Sequence, residues 1–198
     1  MMIELISIPV VILTFLTGTI LLVSWEWRFS VVSLALQYCC VFIMVAFSWP
    51  IETAAVKLVA GLIACVVLGL ALFNLPKDYT HQNRLATSEI IFRVIAAILA
   101  GLFALTGATK LVELFAEISI EQAYGALILV TLGLLQLGLT EQPLRVVVGL
   151  LTVLSGFGVI QAAVESSILI TGLLAVITLS LSIVGAYLLT SPTLEEAK

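Results

Sequence analysis

The chain has 198 residues, of which 62% are hydrophobic and 10% charged, and its formal net charge is −4. An ordinary soluble domain is about 45–50% apolar and about 25% charged. A water-soluble protein of this composition has too few polar residues to cover its surface, so the chain reads as an integral membrane protein.

A hydrocarbon layer about 30 Å thick takes about 20 apolar residues per helix. The first run that qualifies is 3–23; no Lys or Arg precedes it and it is long for a signal peptide, so it is read as a spanning helix. The second, 30–47, carries Gln37, Cys39 and Cys40, and the third, 54–73, carries Lys57, Gly61, Cys65 and Gly69. The three cysteines have no spacing suited to a metal or a disulfide framework and read as small packing residues. The longest connector follows, 74–89, "NLPKDYTHQNRLATSE". It is expected to be a cytoplasmic loop. It holds the only histidine, His81, and no glycine with which to cradle a phosphate.

The fourth run is 90–107, with Arg93 one turn inside and Glu89 four residues before it, a favourable order for a helical ion pair. In 108–122, "ATKLVELFAEISIEQ", Lys110, Glu113, Glu117 and Glu121 recur at helical spacing opposite Leu111, Leu114, Phe115 and Ile118. That pattern predicts an amphipathic segment on the outer surface, or an extension of the fourth span, and a candidate partner surface. The remaining runs are 123–139 with Thr131 and Gln136, 144–163 opened by Glu141 and Arg145, and 168–189. Open strands cannot span lipid and the runs lack barrel alternation. The predicted fold is a single all-α domain, 1–198, of about seven transmembrane helices.

Seven spans put Arg28, Lys77, Arg84, Arg93, Arg145 and Lys198 toward one side and only Lys57 and Lys110 toward the other. Basic residues favour the cytoplasm, which predicts the N-terminus outside, the C-terminus cytoplasmic, and a bacterial inner membrane location. The outer side then also holds Glu4, Glu52, Glu113, Glu117, Glu121 and Glu165.

Ionisable residues deep in a span are functional candidates, because burying charge in lipid costs about 2.5–3.5 kcal/mol even on mild scales. Here every charge falls near a predicted helix end. Lys57 lies one turn inside and is expected to snorkel outward, with Glu52 as a loose partner. Gln136 is expected at middle depth, bonding a neighbouring helix. Gly61, Cys65 and Gly69, Ala97 and Gly101, and Ala100, Ala104 and Ala108 form small-residue rows that let helices approach closely; Gly149 and Gly156 are further packing candidates. No nucleophile with a base, cofactor motif or metal cluster is apparent. A stand-alone enzyme is not expected, nor a nucleic-acid partner.

The stretch "PLRVVVGLLTVLSGFGVIQAAVESSILITGLLAVITLSLSIVGAYLL" resembles the C-terminal part of hydrogenase-4 component E, a relative of the K (4L) subunit of respiratory complex I. The likeness lies in Leu144 and Arg145 before the helix, Gly149 and Gly156 within it, a tight turn and a final aliphatic helix; length and layout are similar over nearly the whole chain. The resemblance implies a membrane subunit working beside antiporter-like partners. It also marks a departure. Where the family carries a buried glutamate of the proton path, this chain has Leu154, and Gly172 stands in place of an aspartate. Lys57 matches a family lysine. The sequence therefore predicts a non-catalytic structural subunit of a complex I-like, membrane-bound hydrogenase or cation/proton antiporter assembly. A small transporter or channel, or a scaffold for another respiratory or photosynthetic complex, is the alternative.

Overall fold

A computed structural model describes residues 2–24, 26–73, 87–115, 117–165 and 167–195, with the side chains of 2–6 and 192–195 left out. Seven α-helices run in order: α1 (Met2–Val23), α2 (Trp27–Ala46), α3 (Ile51–Phe73), α4 (Thr87–Leu114), α5 (Ile120–Gly138), α6 (Pro143–Val164) and α7 (Ile168–Glu195). Six, α2 to α7, are long and apolar enough to cross a membrane, and the Ser7–Val23 part of α1 is a shorter apolar helix. The expected all-α membrane bundle is what the chain forms.

Each helix start has a local cause. Pro50 precedes α3 and Pro143 opens α6, where a missing N–H costs nothing because the first turn has no intrahelical acceptor. Ser119 caps α5 through a reciprocal pair with Gln122, Ser119 Oγ accepting from the Gln122 N–H and Gln122 Oε1 accepting from the Ser119 N–H. That Ser-x-x-Gln signature is present in the sequence, and the hydrophobic reading passed over it.

Two expected boundaries are corrected. The stretch 108–122 is not a separate surface helix. Its first part continues α4 to Leu114, and the chain turns at 117–119 before α5 begins. The acidic row is therefore split between two helices and a turn. Lys110, Glu113 and Glu117 are exposed and Glu121 half-buried, while Leu114, expected on the protected side, is 76% exposed. Residues 87–89, expected in the loop, form the first turn of α4; the rest of that connector, His81 included, lies outside the described residues.

The most extensive helix pairing is α5 with α6, followed by α3 with α7 and α4 with α5. Glycine makes the α5–α6 seam. A Cβ on Gly156 would stand 2.7 Å from the Ala126 carbonyl oxygen and 2.9 Å from Leu129 Cβ, and one on Gly133 would stand 2.9 Å from the Gly149 oxygen. Gly149 itself meets Leu137 at 3.1 Å. Gly61 lies under the Tyr38 ring, and Gly101 under Phe15 at 2.8 Å. The expected packing role holds at these positions and fails at Gly69, where an added Cβ meets only Val31 at an ordinary 3.7 Å. α4 buries a row of small residues, Ala97, Gly101, Ala104 and Ala108, together with Arg93.

Substituting leucine at Gly156 forces atoms into a backbone that is fixed by its own hydrogen bonds. Overpacking of this kind typically costs about 1–3 kcal/mol. Gly156→Leu is expected to lower the unfolding midpoint in detergent, whereas Gly172→Leu is expected to leave it unchanged, since nothing lies within 4 Å of a Cβ there. Equal midpoints for the two variants would remove Gly156 from the packing seam.

Candidate functional site

Polar side chains gather at two places inside the bundle. The first centres on Lys57, the seventh residue of α3 and so about 9 Å along the helix from its start at 1.5 Å per residue. The side chain does not snorkel outward as expected. It crosses to α6, where Nζ donates to the Gly158 carbonyl oxygen and, at 3.1 Å, to Gln161 Oε1. The Trp49 ring, 6% exposed, lies beside the ammonium with its centroid 5.5 Å away, within the range of a cation–π contact. An ammonium has three donor hydrogens, and three groups surround this one. Glu52, the partner expected from sequence, is exposed at the start of α3.

Gly158 is glycine for a local reason: a Cβ there would sit 3.3 Å from Lys57 Nζ. Gln161 extends the contact, since its Nε2 donates to the Glu165 carbonyl oxygen at the end of α6. Lys57 also borders a chamber of about 30 Å³ where α2, α3, α6 and α7 meet. Tyr38, Ser155 and Thr178 contribute to its wall, as does Leu154, where the resemblance implies a family glutamate. Gln37 stands one bond back, donating from Nε2 to Ser155 Oγ at 3.3 Å. Ser155 Oγ in turn donates to the Thr152 carbonyl oxygen. Among the described residues, two buried side-chain atoms, Gln37 Oε1 and Tyr38 OH, have no hydrogen-bond partner. An unsatisfied buried polar group costs about 1–3 kcal/mol.

The second place is the opposite end of the bundle, where the sequence showed two separate ion pairs and the structure builds one cluster. Arg93 and Arg145 are each 5% exposed, and both donate to the same acceptor, the Leu22 carbonyl oxygen of α1, at 3.0 and 3.5 Å. Arg145 Nη2 also donates to the Ser24 oxygen at 2.6 Å. Cations favour the C-terminal end of a helix, where carbonyls lack intrahelical donors. The expected Arg93–Glu89 pair is present at 2.7 Å. Glu141 lies before α6 begins, so the helical spacing expected to join it to Arg145 does not apply. Gln136 does bond a neighbouring helix, its Nε2 donating to the Arg145 carbonyl oxygen at 3.0 Å. However, it sits two residues from the end of α5, not at middle depth.

A third bond group was missed from sequence. Gln122 Nε2 donates to the Met44 carbonyl oxygen at 2.8 Å and to Ser48 Oγ at 2.7 Å, tying the start of α5 to the end of α2. Thr131 and Thr152, considered as lining for a polar cavity, bond carbonyls of their own helices. Among the described residues no cluster of three or more His, Cys, Asp or Glu side chains suits a metal ion, and no described carboxylate is buried. Comparison with protein families, with curated proteins and with solved structures gives no match.

Hydrogen bonds to a charged group contribute about 1.5–3 kcal/mol. Arg145→Met removes two donors from the end of α1 and is expected to destabilise the bundle by about that amount in chemical unfolding in micelles. The same loss is not expected for Arg28→Met, whose side chain is exposed and lies over Trp27. Matching stabilities for the two variants would show that the cluster holds nothing together.

Proposed function

We propose that this chain is a non-catalytic structural subunit in the membrane arm of a multisubunit, ion-coupled complex of the complex I-like, membrane-bound hydrogenase or cation/proton antiporter type. The kind of complex comes from the resemblance in α6 and α7. The observation that carries the structural role is the disposition of Lys57. Its ammonium is taken up by the Gly158 carbonyl, Gln161 and the Trp49 ring, so it binds α3 to α6, and leucine occupies the wall position where the resemblance implies a carboxylate. Proton transfer needs groups that change protonation at working pH, and Leu154 and Gly172 do not. Conduction then belongs to neighbouring, antiporter-like subunits, and this chain supplies packing.

The deciding experiment is purification in mild detergent followed by mass spectrometry of what accompanies the chain. Large antiporter-like subunits are expected. A homo-oligomer alone would favour a small transporter, and unrelated membrane partners a scaffold elsewhere. In the purified complex, Lys57→Met is expected to retain ion transport at equal subunit content, and loss of transport with electron transfer intact would place Lys57 in the path instead.

The proposed orientation in a bacterial inner membrane has the α2–α3, α4–α5 and α6–α7 connections outside. It is supported by the excess of Lys and Arg at the opposite end. A cysteine at Ser119 is expected to react with an impermeant reagent added outside, and a reporter fused after Lys198 to be active in the cytoplasm. The inverse pattern at both positions would reverse the orientation.

A further inference from the structure

We infer that the chamber between α2, α3, α6 and α7 is a binding site for water, entered from the bundle end formed by the α2–α3 and α6–α7 connections and closed toward the other. The inference rests on the geometry of the bundle and is independent of which complex the chain joins.

Size is the first argument. A cavity of about 30 Å³ exceeds the roughly 10–15 Å³ that one water requires. Chemistry is the second. A buried water needs two to four polar partners, and the chamber wall supplies the Tyr38, Ser155 and Thr178 hydroxyls together with the Lys57 ammonium. The Thr178 hydroxyl donates to the Leu174 carbonyl and keeps its lone pairs for an incoming donor. The third argument is demand. Tyr38 is 5% exposed and Gln37 fully buried, and Tyr38 OH and Gln37 Oε1 lack partners within the protein. Empty cavities in proteins are apolar; this one is walled by hydroxyls and an ammonium.

The route of entry follows from what flanks the chamber. Beyond Lys57 lies a polar cleft of about 320 Å³ whose walls include Ser48, Trp49, Glu117 and Glu165. Trp49 borders this cleft and places its ring against the Lys57 ammonium, and Gln161 bonds Lys57 on one side and the Glu165 carbonyl on the other. One layer, Trp49–Lys57–Gln161, thus separates cleft from chamber. On the other side Tyr38 packs into a cluster with Leu34, Leu68, Val147, Val148 and Leu151, all at most 5% exposed, which offers water no partner. The chamber is a blind inlet.

The test is radiolytic hydroxyl labelling of the wild-type protein in lipid nanodiscs, read by mass spectrometry. Oxidation depends on water at the residue, so Tyr38 is expected to be modified despite its burial, at a dose that also modifies exposed Phe115 near the α4–α5 turn. An unmodified Tyr38 at that dose would overturn the site. Ala60→Leu, which fills the chamber from α3, is expected to abolish the modification, and persistence in the folded variant would place the water elsewhere. After mixing with ¹⁸O-labelled water, Trp49→Ala is expected to speed incorporation of the isotope at Tyr38 several-fold, whereas Leu68→Ala is not. Faster exchange only in Leu68→Ala would reverse the proposed side of entry.

Discussion

Helices in lipid gain no hydrophobic energy by touching one another, because the surrounding acyl chains are as apolar as leucine. What remains is close backbone approach and a small number of bonds between helices. The α5–α6 seam supplies the first. At Gly133, Gly149 and Gly156 the two backbones come so near that a single methyl group meets a carbonyl oxygen or a neighbouring side chain at about van der Waals contact or closer. Around this pair the other elements are placed: α1 and α4 against α5, α2 and α7 against α6. Elsewhere the same device recurs in weaker form, with Gly61 beneath Tyr38 and Gly101 beneath Phe15.

Bonds supply the second part, and their placement has a logic. A spanning helix satisfies its own backbone except at its ends. The charged and amide side chains of this bundle act mainly on those ends. Arg93 and Arg145 take the last carbonyls of α1, Gln136 reaches the first turn of α6, and Gln122 reaches the last turn of α2. Lys57 and Gln37 are the exceptions, binding α6 further along its length. The proposed structural role and the proposed water site both arise from these exceptions. One interior cation is fully engaged, and a hydroxyl and an amide oxygen next to it are not.

The spans were legible in the sequence because runs of about 20 apolar residues overwhelm every other signal. Their ends were less so. The fourth span was expected to stop at 107, where threonine and lysine begin, yet the helix continues to Leu114 with Thr109, Lys110 and Glu113 exposed. A helix ends where its backbone bonds end, not where its hydropathy falls. Spacing located Glu89–Arg93 because both lie on one helix, and misled at Glu141–Arg145 because Pro143 starts the helix between them. Gly69 shares the four-residue spacing of Gly61 but faces only a loosely packed valine, so spacing alone does not separate a contact from a coincidence. The partners of Lys57 were out of reach for a plainer reason. Gly158 and Gln161 lie 101 and 104 residues away along the chain, and only the packing of α3 on α6 brings them together.

The shared acceptor at Leu22 also imposes an order in time. Arg93 comes 71 residues after it and Arg145 123 residues after it. At roughly 5–20 residues per second, the ribosome makes the second arginine on the order of ten seconds after the end of α1 has emerged. During that interval the last carbonyls of the first helix depend on water or lipid headgroups. The first helix to be made is therefore the last to be fastened, and biogenesis of the bundle closes where it began.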